Sequence, residues 1–170
     1  MPRTRVQGVI FGLIMSYAMA YGMEVFNVAI KMGYTADLSA MRNIVFLEAL
    51  KEASFMGLFV FLFSNLWGNR FGAYFERKHC DSAKDNPYFC RLMHQAGAVA
   101  VMCPTMSLVA SILFSVILGG DSPVQLPAIW IGTLIKNFPI AFLLNMFAAA
   151  PFSRWLFQRL FPEKQRAAAK

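Results

Sequence analysis

Four long apolar segments constrain the fold of this chain more than any other feature. They cover residues 6–30, 43–67, 96–118 and 128–151. A helix of roughly 20 apolar residues crosses the hydrocarbon core of a bilayer. Lipid offers no hydrogen-bonding partner to an unpaired backbone, so each segment must be helical. The sequence therefore predicts an all-α integral membrane protein with four transmembrane helices.

The composition excludes a water-soluble domain. Of the 170 residues, 58% are hydrophobic and 15% are charged, against about 45–50% and about 25% in an average soluble domain. So few polar residues cannot cover the surface of a globule of this size. The composition and the four apolar segments thus point to the same class of protein.

The net charge of +7 is distributed unevenly along the chain. Residues 1–5, 68–95 and 152–170 hold twelve of the 16 Lys and Arg residues, whereas 31–42 and 119–127 hold two. The positive-inside rule then places both termini and the middle segment in the cytoplasm. We predict a multi-pass protein of a bacterial inner membrane, with membrane lipids and not nucleic acid as the partners of its basic residues. The basic, aromatic tail is predicted to lie on the anionic inner leaflet.

The two halves of the sequence resemble each other. A Met-Ser pair at 15–16 recurs at 106–107, and an offset of 84 between the second and fourth segments places Arg70 on Arg154. Two spans per copy give both copies the same orientation. We therefore predict two parallel two-helix repeats, related by a pseudo-twofold axis along the membrane normal. The predicted boundaries are a first repeat at 1–78, a cytoplasmic connecting loop at 79–92, a second repeat at 93–162 and a cytoplasmic tail at 163–170.

Short motifs in the second half carry a family resemblance. The Met-Ser pair at 106–107 lies in one span, the sequence FPIAF follows at 138–142 in the next, and Ala150, Pro151 and Arg154 come after it. In these motifs the chain resembles the bacterial two-helix membrane family of domain of unknown function DUF2798, and the first half resembles a more divergent copy. The resemblance implies a tandem pair of two-pass inner-membrane units. It brings no established chemistry with it.

Five ionisable side chains lie inside the predicted spans, where an isolated charge costs at least about 2.5–3.5 kcal/mol. They are Glu24, Glu48, Lys51, Glu52 and Lys136. Glu48 and Glu52 share a helix face, and Lys51 is close enough to Glu48 to offset its charge. The offset of 84 carries Glu52 onto Lys136. We therefore predict an ion pair between these two residues, joining the second and fourth helices.

Glu24 has no cation at the equivalent position of the third span, because the repeat places Ser115 there. A carboxyl group in hydrocarbon without a cation is a candidate proton carrier. Asn27, three residues further along the same helix, and Asn137 in the fourth span complete the predicted transport or buried-charge site. In the alternative interpretation these groups only hold the helices together, as buried ion pairs often do.

The middle segment contains a weak set of metal-ligand candidates. In a helix, Cys90 and His94 would share a face, and His79 and Cys80 could complete a tetrahedral zinc site. The spacing matches none of the common zinc templates, so we predict no metal and no cofactor. A cytoplasmic segment is kept reduced, so we also predict no disulfide between Cys80 and Cys90.

Two functions fit these features, and neither is enzymatic. The sequence contains no phosphate-binding loop, dinucleotide fingerprint, zinc-protease motif or serine-hydrolase motif. One hypothesis is a proton-coupled transporter of a small organic or cationic substrate. In architecture it is similar to the small multidrug exporters, which also use four helices and a carboxylate in the first, although this is an analogy of fold. The other is a non-catalytic scaffold or regulatory subunit of a larger complex. A second copy of the chain is a further candidate partner.

Overall fold

The computed structural model describes residues 4–34, 37–81, 85–120 and 122–161. These residues are mainly helical, and no strand occurs among them. The prediction of an all-α chain is therefore confirmed. The six α-helices are α1 (Arg5–Lys31), α2 (Ile44–Phe63), α3 (Asn69–His79), α4 (Pro87–Ala110), α5 (Leu126–Leu144) and α6 (Ala150–Leu160).

Three π-helical segments extend or join these helices. Ser64–Gly68 joins α2 to α3, Asn145–Ala149 joins α5 to α6, and Ser111–Ile117 prolongs α4. Short 3₁₀ turns precede α2, at Leu38–Ala40, and α5, at Pro123–Gln125. The helical segments of the chain are consequently longer than the apolar runs in the sequence.

Three helices in the described part of the chain are long and apolar enough to cross a membrane. They are Arg5–Lys31, Pro87–Ile117 and the combined helix Pro123–Leu160. This agrees with a multi-pass membrane protein. The helix α2 is not among the three, and its 20 residues include Glu48, Lys51 and Glu52. These are three of the five ionisable residues inside the predicted spans.

The first compact unit consists of Met1–Leu58 and Asn145–Lys170. Its helix α1 begins where the Thr4 hydroxyl accepts a hydrogen bond from the Gln7 amide, a standard N-cap arrangement. It packs against α6, and the rings of Phe11 and Phe157 meet edge to face with their centroids 5.5 Å apart. The chain leaves α1 at Gly33, whose φ of +85° suits glycine. The N-terminal and C-terminal helices of the chain thus belong to one unit.

Small side chains bring α1 and α2 into contact within this unit. Val28 and Ala29 of α1 pack with Val45 and Ala49 of α2, and all four are buried. Small apolar residues are typical of close helix contacts in membrane proteins, where packing replaces the hydrophobic driving force. The two helices therefore share a tight apolar contact beside the charged side chains described below.

The second unit, Phe59–Leu144, is built around the hairpin of α3 and α4. Glycines allow the two helices to approach closely. A Cβ atom at Gly72 would lie 2.8 Å from the His94 carbonyl oxygen, and one at Gly97 would lie 2.5 Å from Phe75 Cβ. The helix α4 starts at Pro87, inside the connecting loop predicted at 79–92. The predicted tail at 163–170 lies outside the described residues.

Candidate functional site

The Glu24 side chain lies on the buried face of α1. It continues a stripe of buried residues spaced four apart, Ser16, Ala20, Glu24 and Val28, and this spacing puts them on one helix face. Only 4% of Glu24 is exposed. A carboxyl group on such a face must be neutral or have polar partners, because an isolated buried charge is costly.

The partners of Glu24 come from α1 itself and from α2. Its carboxyl group lies next to the Asn27 side chain and the Glu52 carboxyl group, and Lys31 lies close enough to interact with its charge. Two adjacent carboxyl groups repel each other when both are ionised. The charge on Glu24 and the charge on Glu52 therefore depend on each other.

Lys31 supplies the positive charge of this cluster. Its Nζ atom donates a hydrogen bond to Glu52 Oε1 at 3.0 Å. The Glu52 side chain is 21% exposed, so the cluster extends from the buried Glu24 to a more accessible carboxylate. With one proton on the two carboxyl groups, the remaining negative charge is balanced by Lys31. The cluster of Glu24, Asn27, Lys31 and Glu52 is then electrically neutral.

The expectation that Glu24 has no cation near it is wrong, because Lys31 interacts with its charge. It rested on the equivalent position in the third span, whereas the actual partners lie in the first half of the chain. Sequence reasoning also missed Lys31, which it assigned to the external loop. The signal that could have identified it is its spacing, because residues seven apart lie on the same face of a helix. Lys31 is seven residues after Glu24 and is the last residue of α1.

The other charged pair of α2 lies apart from this cluster. Lys51 Nζ is 2.6 Å from Glu48 Oε1, an i,i+3 contact like the one their spacing predicts. Both side chains are more exposed than Glu52. Glu48 and Glu52 thus have different cations, one from the same helix and one from α1.

Lys136 and Asn137 lie in α5, in the second unit. Lys136 is exposed and Asn137 is buried, and the Asn137 Oδ1 atom has no hydrogen-bond partner among the described residues. Because Glu52 belongs to the first unit, its predicted ion pair with Lys136 stays a prediction. The ion pair that the structure does give Glu52 is with Lys31.

Three of the four metal-ligand candidates in the middle segment have other partners, and the fourth, His79, lies against the Phe75 ring with the ring centroids 4.5 Å apart. Cys80, just after α3, and Cys90, in the first turns of α4, are joined by a disulfide with their Cα atoms 5.4 Å apart. His94 Nδ1 lies 2.9 Å from Glu76 Oε2. No group of three or more metal-ligating side chains occurs in the described part of the chain.

The prediction that Cys80 and Cys90 are unbonded is wrong for this structure. That prediction considered only the compartment. The helix α3 continues to His79 and α4 begins at Pro87, so the hairpin brings the two cysteines within the Cα distance typical of disulfides. The remaining cysteine, Cys103, is free and buried in α4.

Comparison with known families identifies the second half of the chain. Residues 94–161 match the family model described as Domain of unknown function (DUF2798). Over this range the chain is similar to the DUF2798 family. This confirms the family resemblance of the second half, because the matched range contains every motif of that half on which the resemblance rests. No curated protein and no solved structure matches the chain.

The matched range contains only part of the candidate site residues. It begins at His94 and includes Lys136 and Asn137, whereas Cys80 and Cys90 precede it. The cluster around Glu24 lies wholly in the first half of the chain. Glu24, the most buried ionisable carboxyl group among the described residues, therefore lies outside the matched range.

Proposed function

We propose that the protein is a proton-coupled transporter of a small organic or cationic substrate, with the cluster of Glu24, Asn27, Lys31 and Glu52 as its proton-carrying site. The observation that supports this is the position of the Glu24 carboxyl group, which lies in a helix long and apolar enough to span a membrane and next to the carboxyl group of Glu52. Intramembrane carboxyl groups that share protons are typical of pumps and transporters.

The charge balance of the cluster suggests how a proton and a cation exchange. With one proton bound, the cluster is neutral. Loss of that proton leaves two carboxylates beside one ammonium group, a net negative site that attracts a cation. A cationic substrate and a proton would then compete for the same two carboxyl groups. Such competition couples the movement of one to the movement of the other.

The proposed architecture has four spans in two parallel repeats. Two matching successions of helices support it. The helix α2 has 20 residues and is followed by a π-helical segment of five residues and by α3 with 11. In the same way α5 has 19 residues and is followed by a π-helical segment of five residues and by α6 with 11. On this basis we propose that α2 also crosses the membrane, which makes four spans, and that the first half is a second, divergent copy of the DUF2798 unit.

The proposed location is the inner membrane of a bacterium, with both termini in the cytoplasm. The distribution of Lys and Arg supports this orientation. The predicted external ends of the first two spans adjoin 31–42, so Lys31 and Glu52 lie toward the outer side in this proposal. Protons would therefore reach the site from the outer side of this membrane.

Transport by the purified protein in liposomes tests the proposal. An inward proton gradient is imposed, internal pH is followed with a trapped dye, and ethidium serves as the cationic probe. We expect wild-type protein to exchange ethidium for protons and Glu24→Gln to lose this exchange. Glu48→Gln is the matched control, because Glu48 is a glutamate of α2 that pairs only with the neighbouring Lys51 in the described contacts. Undiminished exchange in Glu24→Gln would exclude Glu24 as the carrier.

The alternative function is a scaffold or regulatory subunit. The ion pair of Lys31 with Glu52 favours it. This pair joins the end of α1 to α2, which is what a purely structural contact would do. In that case folded wild-type protein gives no proton or ethidium flux. Glu24→Gln would then leave the protein without a transport defect and change only its stability.

A further inference from the structure

The paired cysteines of the α3–α4 hairpin have no role in the proposed transport. Cys80 follows the last residue of α3, and Cys90 is one turn inside α4. They differ in access. Cys90 is only 5% exposed, whereas Cys80 is partly exposed. A small molecule in solution therefore reaches the sulfur of Cys80 more easily than that of Cys90.

Cys80 also lines a surface cavity of about 490 Å³. The other lining residues are Ala73, Glu76, Arg77 and Asp81. The cavity wall thus carries one guanidinium group and two carboxyl groups. A ligand with both ammonium and carboxylate groups complements a wall of mixed charge.

The charge distribution of the sequence predicts a cytoplasmic position for this hairpin. Cytoplasmic disulfides are uncommon and, when present, are usually transient. A pair that is close enough to bond, with one accessible member in a cavity, has the arrangement of a reversible pair. Arg77 is the one cation among the residues that line the cavity, so it is the group there that can bind a carboxylate of the ligand.

We propose that Cys80 and Cys90 form a thiol–disulfide exchange site for a low-molecular-weight thiol of the glutathione class, bound in this cavity. In the oxidising direction the Cys80 thiolate attacks one sulfur of the small disulfide. The disulfide bond of the small molecule breaks, one thiolate leaves, and a mixed disulfide forms on Cys80. The Cys90 thiolate then attacks the Cys80 sulfur and releases the second small thiolate.

The overall reaction is balanced. Two cysteine thiols lose two electrons and two protons and become the Cys80–Cys90 disulfide. The small disulfide gains the two electrons, and its two leaving thiolates take up the two protons. Reduction by the small thiol follows the same steps in reverse, so the state of the pair depends on the thiol and disulfide concentrations around it.

Trapping of the mixed disulfide tests the order of attack. The full-length protein in membrane vesicles, with Cys103→Ser in the background, is treated with oxidised glutathione and analysed by mass spectrometry. We expect Cys90→Ser to accumulate one glutathione on Cys80, because the resolving cysteine is absent. Cys80→Ser should accumulate little on the buried Cys90. Equal labelling of both variants, or of neither, would overturn the proposal.

A pair of charge variants tests the part played by the cavity. In the Cys90→Ser background, Arg77→Gln should slow formation of the mixed disulfide several-fold. Lys78→Gln is the matched control, because Lys78 is the neighbouring cation but does not line the cavity. An equal rate in both variants would contradict the role of Arg77 and of the cavity.

Alkylation of intact cells tests reversibility. Cells are quenched with acid, and free thiols are labelled with a maleimide that shifts the protein on a gel. We expect both cysteines to be free in untreated cells and bonded after exposure to a thiol oxidant, with recovery after its removal. A pair that stays oxidised in untreated cells would refute the exchange site and identify a permanent structural disulfide.

Discussion

Gly72 has no side chain, and this allows α3 to approach α4 closely. We predict that Gly72→Ala destabilises the protein, because the added Cβ would lie 2.8 Å from the His94 carbonyl oxygen and the backbone there has little freedom to move. Overpacking of this kind costs about 1–3 kcal/mol, more than the roughly 1 kcal/mol that alanine gains over glycine in helix propensity. Thermal unfolding in detergent measures the change.

Gly132 provides the control for this substitution. It lies in α5, and a Cβ atom there would have no neighbour within 4 Å. Gly132→Ala should therefore leave the melting temperature unchanged or raise it. If the two alanine variants unfold at the same temperature, the close approach at Gly72 does not limit stability.

The Asp37 carboxylate reports on the turn between α1 and α2. The Ser39 hydroxyl and the Ser39 amide both donate hydrogen bonds to it, and these bonds lower the pKa of Asp37. A lowered pKa means that the charged form stabilises the turn above the ordinary pKa of aspartate. This contribution is lost as the pH falls through the lowered value.

We predict that Ser39→Ala raises the pKa of Asp37 toward its ordinary value, because the hydroxyl donor is lost. Titration of the carboxyl carbon by NMR measures the shift. Ser39→Thr keeps a hydroxyl group at this position and should keep most of the lowering. A Ser39→Ala variant that titrates like the wild type would show that the hydroxyl does not set this pKa.

The partners of Glu24 show which part of a site the sequence can predict. The position of Glu24 in an apolar helix follows from the sequence, and so does the functional interest of a carboxyl group there. Its neighbours do not, because they depend on which faces of α1 and α2 meet. Only the packing of Val28 and Ala29 on the second helix brings Glu52 next to Glu24.

At the scale of the helices, Trp130 links α5 to the proline of α4. Its Nε1 atom donates a hydrogen bond of 3.0 Å to the Pro104 carbonyl oxygen. We predict that Trp130→Phe lowers the free energy of unfolding by about 0.5–1.5 kcal/mol, because it removes this bond and keeps an aromatic ring. Thermal unfolding followed by circular dichroism measures the loss.

The matched substitution is Trp155→Phe. Trp155 lies in α6, its side chain is largely exposed, and its ring faces the Arg159 guanidinium group at 5.5 Å. Its loss should change stability less than that of Trp130. Comparable destabilisation by the two variants would contradict a specific role for the bond to Pro104.

The sequence predicts the apolar helices better than their extensions. The predicted span 6–30 agrees closely with α1, because its apolar run ends where the helix ends. The second apolar run ends near Gly68, yet the helix continues through α3. Polar residues mark the end of an apolar segment, but a helix can continue through them. Here the continuation, α3, packs on α4 through Gly72 and Gly97. The second apolar segment alone cannot reveal these contacts with α4.

For the whole molecule, the side of the membrane on which the C-terminus lies tests whether α2 is a span. Four spans place both termini on the same side, whereas three place them on opposite sides. We predict that a green fluorescent protein fused after Lys170 is fluorescent and that alkaline phosphatase at the same position is inactive, as for a cytoplasmic terminus. The same fusions before Met1 should give the same results.

An active phosphatase at one terminus only would contradict the four-span topology. It would leave α2 as a helix that does not cross the membrane. The charged residues of α2 would then need no partner inside the bilayer. The position of Glu52 beside Glu24 would still require an explanation, since α1 is long and apolar enough to span.

The first compact unit has a consequence for the synthesis of the protein. It combines the first 58 residues with a segment that begins at Asn145, and Phe11 meets Phe157 within it. The ribosome therefore delivers α1 to the membrane long before the helix that completes its surroundings. During that interval the surface of α1 around Phe11 has to be covered by lipid, by the insertion machinery or by a chaperone, whereas α2 follows directly and supplies the neighbours of Glu24. Assembly of this unit is thus a post-translational step, even though its first helix is made at the start.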